Sequence, residues 1–126
     1  MLFLKAKLYR RLRTEISNHT QGEEKVLYSR LRQIERTQSL AIQSEEEHAV
    51  IEHLLSQLDR TSPADPRWEV LCAMLEEDVK GHVKEEETRM FPKMERVFTH
   101  VELAELCDEF EDAKFGLLTP LSRLVG

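Results

Sequence analysis

The sequence predicts an all-α protein folded as one antiparallel helical bundle. Apolar residues recur at intervals of three and four along most of the chain, which is the spacing of one face of an α-helix. The 126 residues include only four glycines and four prolines, too few for the frequent turns of an all-β fold. The length suits one domain that is large enough to bury a core, so we expect residues 1–126 to form a single domain.

The first two helices are predicted from periodicity and from the loop that follows them. Apolar residues keep the helical period over residues 3–34, a break is expected over 37–44, and a second helix then runs to about Leu58. The acidic run at 45–47 favours the start of that helix, because carboxylates stabilise the positive end of the helix dipole. Two prolines within residues 61–66 predict a loop.

A third and a fourth helix are predicted in the second half of the chain. The third begins near Arg67 and is expected to kink or to end soon after Pro92. Residues 99–102 have the form of a capping box, which opens a shorter helix that runs to about Phe115. Residues 117–126 show no clear pattern.

Charge and hydropathy exclude several classes of function. The net charge of −6 argues against a nucleic-acid footprint, which would need a basic patch, so we expect no nucleic-acid partner. No apolar run approaches the roughly 20 residues of a membrane span, and basic residues interrupt the first residues too often for a signal peptide. Cys72 and Cys107 are expected to be free thiols, which fits a cytoplasmic location.

Two stretches of the chain repeat one motif, a histidine followed four residues later by a glutamate. His19 precedes Glu23, and His82 precedes Glu86. Residues four apart on a helix lie on one face, with Cβ atoms roughly 5–6 Å apart. Two such helices facing each other would therefore direct two imidazoles and two carboxylates to one point.

The predicted helix that ends near Leu58 contributes His48, which lies on the same face as the apolar residues around it. A single histidine on such a face is usually an ordinary core residue, but here several ionisable groups would be buried together. Burying each of these groups costs several kcal/mol unless a cation compensates its charge. Imidazole and carboxylate without thiolate favour iron or manganese, so the joint pattern predicts a metal site.

Other histidines and glutamates are assigned to the surface. His53 is five residues from His48 and points away from its face, and His100 falls in the capping box. Glu85 and Glu87 are expected to be solvated. Glu52, four residues after His48, is left open as a ligand or as a hydrogen-bond acceptor for one.

These motifs resemble the hemerythrin-like (HHE cation-binding) family over about residues 8–116. The matching elements are His19-x-x-x-Glu23, His48, His82-x-x-x-Glu86, and the trailing pairs Leu27–Tyr28 and Met90–Phe91 with Pro92. The resemblance implies an antiparallel four-helix bundle around two non-haem iron ions with an oxo or hydroxo bridge; zinc and manganese are the alternatives. It also implies that Glu23 and Glu86 bridge the metals, and that His19, His48 and His82 are terminal ligands.

Two departures from the family pattern affect this expectation. The family's first helix, which carries its own histidine, has no counterpart in the 18 residues before His19. The resulting apolar groove predicts a homodimer, including one with exchanged helices, or else a fragment of a longer protein. The oxygen carriers of the family also have a second histidine where this chain has Glu52, which weighs against reversible oxygen carriage alone.

Three functions follow from these observations. The first is an iron-binding domain that binds or senses O2, NO or redox state, or handles iron. The second is a di-iron oxidase, a peroxidase or an iron-centre repair enzyme, for which Tyr28 is the one redox-active candidate by position. The third is a metal-free helical interaction module. Metal analysis of the purified protein separates the third from the others.

Overall fold

The computed structural model describes residues 2–116, with side chains as far as residue 113. This part of the chain is built of helices, contains no strand, and confirms the predicted all-α bundle. The helices are α1 (Leu2–Gly22), α2 (Ser29–Leu31), α3 (Glu35–Asp59), α4 (Pro66–Glu85), α5 (Phe91–Val97) and α6 (His100–Gly116). A π-helical turn at Glu23–Tyr28 joins α1 to α2, and a second at Glu86–Met90 joins α4 to α5. No helix within residues 2–116 combines the length and the apolar character needed to cross a bilayer.

The predicted break at 37–44 is wrong, because α3 begins earlier. The chain turns at Ile34, whose φ of −105° and ψ of 121° are extended, and α3 starts at Glu35. Thr37, fully buried, donates its hydroxyl hydrogen to the Leu31 carbonyl at 2.7 Å. A threonine that favours a turn in isolation therefore stabilises the first turn of this helix instead.

The third predicted helix ends soon after Pro92, as expected, because α5 stops at Val97. Pro92 occupies the first turn of α5, immediately after the second π-helical turn. A proline is tolerated in a first turn because its missing N–H has no required partner there. The interruption of the α-helix, a π-helical turn at Glu86–Met90, comes before Pro92.

Side-chain caps fix the starts of α4 and α6. Asp65 accepts a hydrogen bond from the backbone N–H of Arg67 at 2.9 Å, directly before the helix. The backbone N–H of Thr99 donates to Glu102 Oε1 at 2.9 Å, and the N–H of Glu102 donates back to Thr99 Oγ1 at 3.1 Å. The capping box predicted for α6 is thus present.

Two apolar cores lie at opposite ends of the bundle, and a polar layer separates them. One contains residues of α3 and α4: Ile51, Leu54, Leu55, Leu58, Trp68, Leu71 and Leu75. The other combines residues from both π-helical turns and from α2, α3, α5 and α6: Val26, Leu27, Tyr28, Leu31, Leu40, Ala41, Met90, Met94, Leu106 and Ala113. Buried ionisable side chains lie between them, where water has little access.

A groove separates α1 from α4. Helix α3 packs along α4, and α6 packs on α1, but no Cα atom of α1 lies within 8 Å of one in α4 among the described residues. Apolar side chains line this groove, among them Leu12, Ile16, Leu75 and Val79. Leu8 lies one helical turn before Leu12, and its side chain is 57% exposed. The bundle is therefore open on the α1–α4 side.

Candidate metal centre

Four of the five residues predicted as ligands converge in the polar layer. Glu23, His48, His82 and Glu86 are all buried, and each offers a nitrogen or oxygen atom within 4.8 Å of those of the others. The two Nε2 atoms of His48 and His82 lie 2.9 Å apart, and His82 Nε2 lies 2.9 Å from Glu86 Oε1. Glu23 Oε1 lies 3.3 Å from His48 Nε2 and 3.8 Å from His82 Nε2. The geometry of a compact donor cluster is therefore present.

Carboxylates on the outer side hold both imidazoles in place. His48 Nδ1 lies 3.1 Å from Glu24 Oε1, and His82 Nδ1 lies 2.7 Å from Glu47 Oε1. Because an ionised carboxylate only accepts hydrogen bonds, each Nδ1 carries the hydrogen and donates it. In the neutral rings the inward Nε2 atoms then present lone pairs, as in metal-binding histidines that donate to a carboxylate behind them.

Two facing lone pairs at 2.9 Å repel each other unless a positive charge lies between them. A proton shared by His48 and His82 is one solution, and a metal cation is the other. Glu23 Oε1 also favours a positive charge at this position, because it is a buried acceptor for which no contact has hydrogen-bond geometry. The donors are imidazole nitrogens and carboxylate oxygens without thiolate, a set that suits iron or manganese.

The pKa values of the cluster show how strongly it attracts positive charge. Burial favours neutral His82, but the surrounding carboxylates of Glu23, Glu86 and Glu47 outweigh it and raise the pKa of His82 to about 10. Burial also favours protonated Glu23, yet the imidazoles of His19, His48 and His82 hold its pKa far below the usual range. Burial raises the pKa of Glu86, and the neighbouring Glu23 raises it further against the effect of His82. A bound cation would compensate the carboxylates and displace the proton on His82.

Each of the two predicted carboxylate ligands is the first residue of a π-helical turn. Glu23 opens the turn Glu23–Tyr28, and Glu86 opens the turn Glu86–Met90. In an α-helix the fifth following residue lies about 140° around the axis. Hydrogen bonds in a π-helix run from i to i+5, so that residue stays close to the same side. The first π-helical turn thereby brings Tyr28 into the cluster that contains Glu23.

Tyr28 is fully buried, and its hydroxyl touches three of the four cluster residues. Its Oη lies 2.8 Å from Glu86 Oε1, 3.2 Å from His48 Nε2 and 3.3 Å from His82 Nε2. Burial and the nearby Glu23 and Glu86 raise the pKa of Tyr28 above its ordinary value. The sequence points to Tyr28 as a redox-active candidate by position, and the π-helical turn is what directs its hydroxyl into the cluster.

His19, the fifth predicted ligand, lies at the edge of the cluster. Its Nε2 is 3.3 Å from Glu23 Oε1, its side chain is 45% exposed, and its ring packs edge-on against Phe110 at 5.3 Å between centroids. It does not belong to the group of four whose donor atoms all lie within 4.8 Å. Its role as a ligand therefore stays a prediction.

Some of the remaining glutamates have contacts that differ from those expected from the sequence. Glu52 forms an ion pair with Arg13 at 3.0 Å, whereas Glu24 and Glu47 are the carboxylates behind the imidazoles. Sequence reasoning missed these two because each contacts a histidine on a different helix. His53 and His100 are exposed, as predicted.

Comparison with protein families agrees with this geometry. The family model described as the Hemerythrin HHE cation binding domain matches residues 3–94. The chain belongs to this family. The matched segment begins in α1 and ends within α5, so it contains all four residues of the hemerythrin-type cluster and Tyr28.

One curated relative of this HHE domain is much longer than the chain. It is a DNA nickase of Nostoc sp. (strain PCC 7120 / SAG 25.82 / UTEX 2576), 28% identical over 103 residues, which are 79% of this chain and 28% of that protein. The chain thus spans little more than a quarter of the relative's length, and the nickase name describes that whole protein. No solved structure matches the chain.

Proposed function

We propose that this HHE domain holds non-haem iron in its buried cluster, as a di-iron centre, and uses it to bind or sense O2, NO or redox state, or to handle iron. The single observation that carries this proposal is the pair of inward Nε2 atoms of His48 and His82, 2.9 Å apart with both Nδ1 positions engaged by carboxylates. That arrangement needs a positive charge at its centre, and the donor set is one that iron prefers over softer metals. Zinc and manganese are the alternatives.

The position of Glu23 supports two metal ions rather than one. Its Oε1 atom is 3.3 Å from His48 in the cluster and 3.3 Å from His19 at the edge. A carboxylate between two imidazoles from different helical positions is placed to bridge two cations. In this proposal His48 and His82 serve the inner ion, His19 serves the outer ion, and Glu86 is the second bridge.

A small apolar cavity beside the cluster supports a gas as the ligand. It measures about 210 Å³, and it is lined by His19, Glu23 and apolar side chains of α5 and α6 that include Met94, Leu103 and Phe110. Bound iron supplies an open coordination position. The protein's part is to keep water away from that position and to hold the donors rigid, and an apolar wall does both. O2 and NO are small and weakly polar, so such a wall admits them.

His82→Ala with His53→Ala as its matched control tests the iron proposal. His82→Ala should lose most of its iron, measured by elemental analysis after purification, and should melt at a lower temperature, because metal binding stabilises the fold. His53→Ala should change neither, since His53 is exposed. Chelation should destabilise the wild type. Full iron content in His82→Ala would refute the assignment, and many turnovers with peroxide would indicate an enzyme rather than a sensor.

We further propose a homodimer in which a second copy covers the α1–α4 groove. The leucines at positions 4, 8 and 12 of α1 share one face and are each about half exposed, next to a groove with apolar walls. Burying such a face against its own equivalent creates a two-fold interface, with or without exchanged helices. Leu8→Lys should convert a dimer, measured by mass in solution, to a monomer. A wild type that is monomeric at all concentrations would refute the dimer.

The expected location is the cytoplasm. Cys72 and Cys107 are free thiols, which favours a reducing compartment.

A further inference from the structure

We infer that the phenolic oxygen of Tyr28 is itself a metal ligand, so that the cluster offers five donors: Glu23, Tyr28, His48, His82 and Glu86. This inference rests on the proposed metal function. It extends that function by assigning a tyrosinate ligand, which the His-x-x-x-Glu motifs do not contain.

The distances around the Tyr28 hydroxyl are those of ligands that share one ion. Two donors bonded to one cation at about 2.1 Å, with a right angle between them, lie about 3 Å apart. Tyr28 Oη lies 2.8, 3.2 and 3.3 Å from Glu86 Oε1, His48 Nε2 and His82 Nε2. The two Nε2 atoms are 2.9 Å apart, and His82 Nε2 is 2.9 Å from Glu86. Tyr28 is therefore spaced from the predicted ligands as they are spaced from one another.

Hydrogen bonding accounts for these contacts only while an extra proton lies between the two imidazoles; when both rings are neutral, it does not. The phenol has one hydrogen, and Glu86, at 2.8 Å, is its closest acceptor. The two Nε2 atoms, whose rings donate through Nδ1, then face the Tyr28 oxygen with lone pairs at 3.2 and 3.3 Å. Three acceptor atoms that converge without a hydrogen between them repel one another. A cation at their centre turns the repulsion into coordination.

The first π-helical turn gives this arrangement a structural cause. It keeps Tyr28 on the side of Glu23 at a spacing of five residues, and it buries the phenol completely. A π-helical turn costs backbone hydrogen-bond geometry, and such turns occur frequently at functional sites. In this chain, the cost is offset if Tyr28 supplies a donor from within the bundle.

Coordination breaks the phenolic O–H bond, forms an oxygen–metal bond and releases one proton to solvent. The oxidation state of the metal does not change in this step. Once the proton that Tyr28 donates to Glu86 is removed, Glu86 Oε1 no longer accepts a hydrogen bond and is free to bind the metal.

The chain contains two tyrosines, and this allows a clean test. Tyr9 packs against the core between α3 and α4, and its hydroxyl donates to Asp59 Oδ1 at 2.6 Å and lies 2.9 Å from the Leu55 carbonyl, so Tyr9→Phe is the matched control for Tyr28→Phe. Wild type and both variants are loaded with iron and fully oxidised, and iron content, circular dichroism and visible absorption are recorded. Ferric tyrosinate has a strong phenolate-to-iron charge-transfer band, which resonance Raman assigns through the tyrosine ring modes.

We expect the band in the wild type and in Tyr9→Phe, and its loss in Tyr28→Phe together with at least a tenfold weaker ferric affinity. An iron-loaded wild type without tyrosinate modes overturns the inference while leaving the iron proposal intact. A wild type that binds no iron overturns the iron proposal instead. If Tyr28→Phe fails to fold, the Raman spectrum of the wild type still decides the question.

Discussion

Glu47 on α3 and His82 on α4 lie 2.7 Å apart through Oε1 and Nδ1, which makes this the shortest contact between a carboxylate and an imidazole described in the site. The contact joins two helices and directs the opposite nitrogen of His82 into the cluster. We expect Glu47→Gln to weaken iron binding about 10–100-fold, because the acceptor that holds the ring orientation and raises its basicity is lost. Competition with a metal-binding dye measures this. Glu46→Gln, at an exposed neighbouring position, should bind as the wild type does; equal affinities in both variants would contradict the role of Glu47.

The edge position of His19 predicts a change in stoichiometry rather than a loss of the site. His19 is 45% exposed and reaches the cluster through Glu23 at 3.3 Å, whereas His48 is buried within it. His19→Ala should therefore bring the iron content down from two ions per chain towards one, while His48→Ala should remove most of the iron. Elemental analysis against protein concentration distinguishes them. Two ions retained in His19→Ala would remove this residue from the ligand set.

Iron uptake should depend on pH through His82. Its pKa is raised from an ordinary 6.5 to about 10, so it is protonated near neutral pH and the metal must displace that proton. Metal affinity should rise with pH, by up to about tenfold per unit for one displaced proton, and level off near the raised pKa. In chelated protein the stability of the fold changes with pH in the opposite direction. The raised pKa stabilises the fold below the ordinary value, and this contribution is lost as pH rises through about 10. Melting curves of loaded and chelated protein across this range check both signs; parallel curves would contradict the prediction.

The helices and the convergence of four residues follow from α-helical periodicity, and the sequence predicts them for that reason. His19, Glu23, His82 and Glu86 lie on the apolar faces of their helices until the point at which each glutamate begins a π-helical turn. Beyond that point the period changes, so Tyr28, which the sequence names as a candidate by position, contacts the cluster at a spacing of five residues that 100° per residue does not explain. Whether a π-helical turn forms depends on the packing of the completed bundle, and that information is not local.

The start of α3 and the carboxylates behind the imidazoles escape prediction for a related reason. Thr37 is a helix residue because the Leu31 carbonyl accepts its hydroxyl hydrogen, a contact that requires the turn before α3 to be formed. Glu24 and Glu47 each contact a histidine on another helix, so no spacing along the chain reveals them. Glu52 has the correct spacing from His48, but Arg13 on α1 binds it instead.

Leu55 should be a major source of stability in the core between α3 and α4. It is fully buried among residues of both helices, so Leu55→Ala removes apolar burial and leaves a cavity. We expect a loss of about 3 kcal/mol in the free energy of unfolding, measured by urea denaturation of chelated protein. Val50→Ala, on the same helix and 53% exposed, should change it by less than about 0.5 kcal/mol. A similar effect of both substitutions would show that this core is not packed as described.

The cavity beside Glu23 should control the access of a gas to the iron without affecting the iron content. Leu103 on α6 lines this cavity and is half-buried, so Leu103→Trp fills part of it. We expect unchanged iron content and circular dichroism, but NO binding to the reduced protein at least tenfold weaker, measured by visible absorption. The matched control is Val101→Trp, two residues earlier on α6 and 67% exposed, which should bind NO as the wild type does. If Leu103→Trp binds NO with wild-type affinity, the gas reaches the metal by another route, and the cavity has no part in ligand binding.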